Sequence, residues 1–421
     1  MRPPPWIERR VTHIRQPSTR AARGLDAMNF TLADVRDGLG PYLGIWLITV
    51  HGWDAGGVGA VLAAAGIAGL LAKAPAGLLV DALPDKRAML MGATIAITVA
   101  CLLILVSPDW GVVATSQVFA GIAAAIVAPA IASLTLGLVG PAGFARRMGR
   151  NEAFNHAGNA ATAAAAGLAS LVVGPVAVFV ILGLMAFAAL LATVSIPAAE
   201  VDQRLARGLA PGQSAQGGWR ELMGQRGLLV LAVSVAVFHC ANAPMLPLVG
   251  QVMAIADPSR GTALMSACIV AAQVVMVGTS WLAGARADAW GRKALFLAGF
   301  AVLPLRGFLY TVSDDPFWLV GVQLLDGIGA GLFGVLLPLM VADLTRGSGH
   351  FGAVLGLLAV AQGLGASLGN ALAGQVAARG SYDAAFLTLA GIAAAGAVFF
   401  AIAMRETRPR VPVTAATMRA G

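Results

Sequence analysis

Charge is what this chain is short of. Of its 421 residues only 11% are Asp, Glu, Lys or Arg, against about 25% in soluble domains. Hydrophobic residues make up 58%. Such a chain cannot keep a water-facing surface, and a soluble globular protein is excluded. Aromatic residues are also scarce (6%, with 3 Tyr). That argues against a broad hydrophobic-drug pocket, which needs stacking surfaces. The three cysteines, Cys101, Cys240 and Cys268, all fall in apolar segments. An odd number at such sites gives no disulfide framework, and no C-x-x-C spacing marks a metal site. No P-loop is present to draw on ATP. No ten-residue segments alternate apolar and polar residues, as a membrane β-barrel requires.

What is present is apolar sequence in blocks of about 20 residues, long enough to cross roughly 30 Å of hydrocarbon as helices. The 52 glycines suit close helix packing in lipid. The fold class is an all-α membrane protein. Twelve spans are expected, at about 29–50, 55–80, 87–107, 110–138, 150–173, 176–197, 226–256, 260–284, 291–313, 316–342, 350–376 and 382–404. Lys and Arg gather in alternate connections: Lys86, Arg87, Arg146, Arg147, Arg204, Arg207, Arg220, Arg286, Arg292, Lys293 and Arg346. The opposite connections hold chiefly Arg260 and Arg379 beside Asp54, Asp109, Asp257, Asp314 and Asp315. The net charge of +8 is therefore an orientation signal and not the mark of a nucleic-acid partner. It predicts a multi-pass plasma-membrane protein (a bacterial inner membrane) with both termini cytoplasmic. Residues 1–27 are Arg- and Pro-rich, lack the apolar region of a secretory signal and read as a disordered cytosolic tail. Met28 then stands as a possible alternative start, and residues 405–421 as a second cytosolic tail.

A polar, Gly-rich stretch at 198–225 divides the chain into halves, 28–197 and 226–404, and motifs repeat across it. Gly77-x3-Asp81-x4-Lys86-Arg87 matches Gly284-x3-Asp288-x2-Gly291-Arg292-Lys293. Gln117-x3-Gly121-Ile122 matches Gln323-x3-Gly327-Ile328. Ala132-x-Leu134-Thr135-x-Gly137 matches Ala342-x-Leu344-Thr345-x-Gly347, and Gly158-Asn159-Ala160 matches Gly369-Asn370-Ala371. Matches in one order at nearly constant offset indicate a duplicated six-helix unit. Two-half transporters are built this way, with solute held between the halves near the midplane.

At these residues the chain resembles the major facilitator superfamily. GARADAWGRK (284–293) is similar to that family's loop motif G-x-x-x-D-x-x-G-R-K, and GLLVDALPDKR (77–87) is a degraded copy with Pro84 and Asp85 replacing the Gly and first Arg. The resemblance implies twelve transmembrane helices in two pseudo-symmetric six-helix halves. It also implies that Gly77, Asp81, Lys86, Arg87, Gly284, Asp288, Gly291, Arg292, Lys293 and Asp343 belong to a gating latch, outside the solute site. By that likeness Asp288 would brace the start of helix 11 and Arg292 would meet Asp343 at the end of helix 10. The chain departs from the family's proton antiporters at helix 4, where Gln117 stands in place of Arg, and at helix 5, which lacks the Gly-Pro-x-x-Gly-Gly run.

Polar residues inside spans are expensive and mark functional positions. Asp34, Arg36 and Asp37 sit early in the first span, and the repeat places Asp34 over Cys240 and Arg36 over Asn242, so that this group and His239, Cys240 and Asn242 occupy equivalent stations. Each group lies shortly before a proline, Pro41 or Pro247, able to break its helix. Lys73 lies at comparable depth. Two readings of this cluster stand: a structural one, in which Lys73 snorkels or pairs with one Asp, and a coupling one, in which an Asp exchanges a proton or holds a cation. In helix 5, Asn151, Asn155 and Asn159 recur every four residues and Glu152 pairs with His156, so one face is too polar for lipid. His156 and Asn159 are the deeper candidates. Asp326 is the deepest acid of the second half. Gln273, Gln362 and Asn370 extend the polar lining, and Arg306, near the outer end of helix 9, is expected to snorkel. Adjacent His239 and Cys240 point to different helix faces, so a soft-metal site with Met245 is disfavoured.

Together these features predict a secondary active transporter working by alternating access and coupled to protons, moving a small polar or charged solute, with efflux by antiport favoured. An importer of a small organic anion held by Arg36 is the alternative within the class. A non-transporting sensor or intramembrane enzyme is the alternative outside it, though no nucleophile lies beside His156 and Glu152. No cofactor is implied, and a monomer is expected, with lipid, solute and protons as partners.

Overall fold

The computed structural model of the chain describes residues 15–37, 39–174, 176–209, 218–256 and 261–409. Its helices are α1 (Thr19–Asp37), α2 (Gly40–His51), α3 (Ala55–Ala82), α4 (Lys86–Val106), α5 (Trp110–Val173), α6 (Ala177–Ser195) and α7 (Trp219–Met223). They continue with α8 (Arg226–Asn242), α9 (Met245–Ala256), α10 (Gly261–Trp290), α11 (Arg292–Leu309), α12 (Pro316–Leu344), α13 (Phe351–Arg379) and α14 (Tyr382–Ala403). Helices are the expected solution in hydrocarbon, where each backbone N–H and C=O must be satisfied within its own segment. Side-chain caps fix several starts. Asp54 accepts from Gly57 N, Asp85 from Arg87 N and Ala88 N, Asp315 from Phe317 N and Trp318 N, and Ser381 from Ala384 N.

Among the described residues, nine segments are long and apolar enough to cross a membrane. At 64 residues, α5 would be about 96 Å long if straight, too long for one crossing. It turns at Gly140 (φ 67°, ψ 176°), a conformation open in practice only to glycine, followed by Pro141. Its two arms supply two passes. The α1–α2 pair, of which α2 alone is 12 residues, and α11, which carries Arg292, Lys293 and Arg306, count as two more. The protein is thus an all-helical membrane protein, and the helices of its described residues group into the twelve passes the sequence suggests.

In the first half α3 and α4 pack on α5, and α1 packs on α5 and α6. In the second half α10 and α11 pack on α12, α13 on α8, and α11 on α14. A phenylalanine cluster anchors the second half, with Phe238 stacked on Phe333 at 4.8 Å and Phe300 edge-on to Phe238 at 5.2 Å.

Four expectations need correction. Helix α1 begins at Thr19, so residues 19–27 are no disordered tail. Leu25 and Met28 are completely buried, and Asp26 is nearly so. Residues 139–149, expected as a loop, are helical apart from the turn at Gly140. The α8–α9 break falls at Ala243–Pro244, while Pro247 lies inside α9. The second tail is ordered through residue 409 where it packs on α10 and α11.

Candidate functional site between the two halves

The halves meet along two seams, α3 against α13 and the second arm of α5 against α10. Both are closed at the end that carries the basic connections, and glycine permits the approach. A Cβ on Gly77 would stand 2.3 Å from the Gly352 carbonyl oxygen, and one on Gly149 would stand 2.5 Å from the Gly284 Cα. No side chain fits at either crossing.

A carboxylate locks the first seam. Asp81 is buried at the end of α3 and accepts from Gly352 N (2.8 Å) and Ala353 N (2.7 Å) at the start of α13. This is the positive end of a helix, where a carboxylate is favoured. The expectation gave this task to Asp288, the equivalent residue of the intact motif. Asp288 instead is largely exposed and receives Arg292 at 2.7 Å. Arg292, from the start of α11, is buried, and its Nε lies 3.1 Å from Asp343 Oδ2 at the end of α12. The counterpart of Arg292, Lys86, is equally buried, its Nζ donating to the carbonyls of Val80 and Leu83. Arg87 donates to the carbonyls of Thr193 (3.3 Å) and Val194 (3.2 Å). Lys293 does the same to Ala401 (2.7 Å).

The chain beyond α14 completes this end. Glu406 accepts from the backbone N–H of Arg292 (3.0 Å), Lys293 (3.2 Å) and Arg408 (2.8 Å). Arg408 in turn donates to the carbonyls of Asp288 and Ala289. Burial pushes the Glu406 carboxyl up, but the three backbone donors and the Arg292 charge outweigh it and hold it below the usual glutamate range. At Gly291 (φ 90°) a Cβ would meet Glu406 Oε2 at 2.4 Å, so only glycine fits. A second cluster ties α1 to α5. Asp26 takes Arg147 at 2.6 Å and Arg150 at 2.7 Å, and Arg147 also reaches Asn151 Oδ1 at 2.8 Å.

Further from the basic end the seams carry polar side chains. About two turns beyond Gly149, His156 Nδ1 lies 2.8 Å from Gln273 Oε1 on α10, bridging the halves. Its Nε2 is buried without a hydrogen bond, with Glu152 Oε2 3.9 Å away. Glu152 faces α12 at Gly334. Asn159 is half-buried one turn on. In the other seam, Lys73 crosses to α13 and donates to the Ala359 carbonyl at 3.3 Å. The expected pairing of Lys73 with Asp34 or Asp37 is not what this contact shows. Asp34 and Arg36 lie half-buried in the last turns of α1. Arg36 is within electrostatic reach of His156, and Asp34 of Tyr42 and Cys101. The side chain of Asp37 lies outside the described residues. Across the bundle, His239 holds the Val235 carbonyl at 3.1 Å through Nδ1 and packs edge-on against Phe333 at 4.6 Å. Lys73 and Asp326 are both within its electrostatic reach. Asn242 Oδ1 is buried and has no hydrogen bond.

The deepest ion pair was the least expected. Arg306 does not snorkel: it is fully buried and pairs with Asp326. Its guanidinium also donates to the Asn242 carbonyl at 3.3 Å, the last residue of α8 before the break, and its Nε lies 3.2 Å from Met245 Sδ, the first residue of α9. Gln323 donates to Asp326 Oδ2 at 3.1 Å, and Tyr310 donates to Gln323. The pair therefore holds the broken helix α8–α9 from behind. Sequence reasoning found Asp326 and missed Arg306 and Asp26. The signal for Arg306 was present: an arginine and a carboxylate in neighbouring apolar spans each need the other.

Among the described residues no cluster of His, Cys, Asp and Glu could hold a metal ion. A sequence model of the Major Facilitator Superfamily matches residues 25–301 and 263–420. Two uncharacterized MFS-type transporters of Mycobacterium tuberculosis, from strains CDC 1551 and H37Rv, are each 51% identical over 392 residues, covering 92% of this chain and 94% of theirs. Among solved structures, the proton:xylose symporter XylE bound to 6-bromo-6-deoxy-D-glucose superposes with a TM-score of 0.71 at 14% identity, over 92% of this chain and 96% of that one. The human organic anion transporter MFSD10 superposes at 0.65 and 18% identity, over 95% of this chain and 100% of that one. With its duplicated halves, glycine-closed seams and paired loop motifs, this chain belongs to the major facilitator superfamily and is an MFS-type transporter, not an enzyme.

Proposed function

We propose that the chain is a proton-coupled secondary transporter of the plasma membrane that moves a small polar or charged solute outward by alternating access, with both termini cytoplasmic and Asp326 as the coupling carboxylate. The observation that supports this is the Arg306–Asp326 pair behind the α8–α9 break. A proton on Asp326 would cancel the attraction that holds Arg306. Arg306 also holds the Asn242 carbonyl, so the charge state of one carboxyl would bias the position of a gate-forming helix. Closure of both seams at the basic end leaves the solute path accessible from the opposite end. The Asp81–α13 contact, the Arg292–Asp343 pair and the Glu406 clip would open when the halves rock.

The test uses proteoliposomes with a pH-sensitive dye trapped inside and succinate, choline or xylose added in turn. Solute-dependent proton movement by the wild type, lost in Asp326→Asn, supports the reading. Solute movement without proton movement, or a D326N variant that still moves protons, sinks it. An importer of a small organic anion is the second reading, favoured by one observation, the Lys73 ammonium at the seam. The direction of gradient-driven movement separates the two.

A further inference from the structure

Beyond the basic loops, the described spans carry the ionic side chains Lys73, Glu152, Asp326 and Arg306, the last in the final turn of α11, besides Asp34 and Arg36 at the end of α1. Arg306 and Asp326 answer each other, and Glu152 has His156 at 3.9 Å. Lys73 is different. Among the described residues no carboxylate lies within salt-bridge distance of it, and its ammonium meets one carbonyl, that of Ala359, at 3.3 Å. Lys73 lies eight residues, about 12 Å of helix, before the Asp81 latch and points across the seam, where a Cβ on Gly363 would be 3.6 Å from Nζ. Its own carbonyl is part of the closed seam, 2.3 Å from where a Cβ on Gly356 would stand. Lys73 therefore lies within the seam between the halves, and Leu70, one turn further from the latch, is packed against the same Gly363. His239 of α8 is within the electrostatic reach of Lys73.

A cation at this depth is costly unless something answers its charge. Among the described residues the ammonium meets one neutral oxygen, and it has three donors to place. We infer that the solute carries an anionic group, a carboxylate or phosphate oxyanion, and that the Lys73 ammonium is where it docks. Such a group removes the uncompensated charge when it binds, and Lys73 regains that charge when the solute leaves. This deepens the proposed function and rests on its reading of the space between the halves as the solute path. It does not depend on Asp326 being the coupling group.

The experiment measures thermal unfolding of the purified full chain in detergent with lactate, succinate, citrate or inorganic phosphate, each against choline and xylose at matched ionic strength. At least one of the four anions is expected to raise the unfolding temperature of the wild type. Lys73→Gln should weaken that anion's apparent affinity by about tenfold or more, while Lys73→Arg stays within about threefold. Asp326→Asn should keep the anion response even where it abolishes proton movement, so the two ideas fail separately. Stabilisation by none of the four anions overturns the inference, and so does an equal response in K73Q. Should K73Q not fold, the wild type decides alone: stabilisation by choline or xylose, with no anion acting, is the contrary result.

Discussion

Removing the charge of Asp326 should destabilise the protein, and removing Arg306 as well should restore it. The pair lies in the interior, with Arg306 fully buried and the Asp326 side chain 13% exposed. Taking one member away strands the other without a counter-charge, a loss of about 3–5 kcal/mol. Asp326→Leu leaves the guanidinium with neutral partners, among them the Asn242 carbonyl, the Met245 sulfur and the Tyr310 ring. The double variant Asp326→Leu/Arg306→Met has no stranded charge. Well-packed apolar replacements for a buried pair are often neutral or stabilising by about 1–4 kcal/mol, so it should recover most of the loss. The coupling energy from the double-mutant cycle should then exceed about 2 kcal/mol, read from unfolding curves in detergent. Additive losses in the two single variants would refute the reasoning, because they would mean that the groups do not compensate each other. The double variant should also be silent in proton movement while remaining folded, which separates a coupling role from a structural one.

Three other predictions follow from the basic end. Asp81→Ala removes two charge-assisted bonds worth about 1.5–3 kcal/mol each, so the closed seam should lose population. A thiol placed at residue 76 or 353 would then label faster, and an unchanged rate would count against the latch. Gly77→Val or Gly149→Leu should give the same phenotype more strongly, since the Cβ positions lie 2.3 Å and 2.5 Å from backbone atoms of the other half; wild-type labelling of G149L would contradict the crossing. The Glu406 clip depends on acid in a stated direction. Its folded carboxyl titrates below the usual glutamate range, so its contribution is present above the unfolded pKa and disappears as pH falls through the folded one. A spin label at residue 409 should gain mobility on acidification below that range and be mobile at neutral pH in Glu406→Gln; constant mobility in both experiments would refute the clip.

The duplicated helical architecture could be read from the chain because hydrophobic blocks and loop motifs are local signals. What escaped depends on packing. Helix α1 opens with the polar sequence TRAARGLDAMN, which no hydropathy window would place inside a bundle. Yet it packs on α5 and α6, and Asp26 answers Arg147 and Arg150, which are more than 120 residues away in sequence. Arg306 was assigned to the water edge by counting residues along α11. Its side chain turns inward to the Asp326 carboxylate, and distance along a helix says nothing about which face a residue occupies.

The exchange of roles between Asp81 and Asp288 carries a more general point. The intact copy of the motif, 284–293, drew the assignment of the inter-half brace, whereas the degraded copy provides it. The substitutions at Pro84 and Asp85 fall after the helix end, where Asp85 has a use of its own, capping α4. The residues that make the brace, Gly77 and Asp81, are kept. Their chemistry needs only a glycine that lets α13 approach and a carboxylate one turn later aimed at two free N–H groups. In the second copy Gly284 makes the same close approach, to Gly149, but the helix it meets has no free N-terminus there. The crossing at Gly149 falls nine residues past the Gly140 turn, well inside the second arm of α5, whereas Gly352 lies in the first turn of α13, which starts at Phe351. Asp288 is left to Arg292 and to solvent. The asymmetry between the seams thus follows from the partner helix more than from the motif. Opening the α5 turn, for instance by Gly140→Ala, should therefore perturb the second seam and leave the Asp81 contact standing.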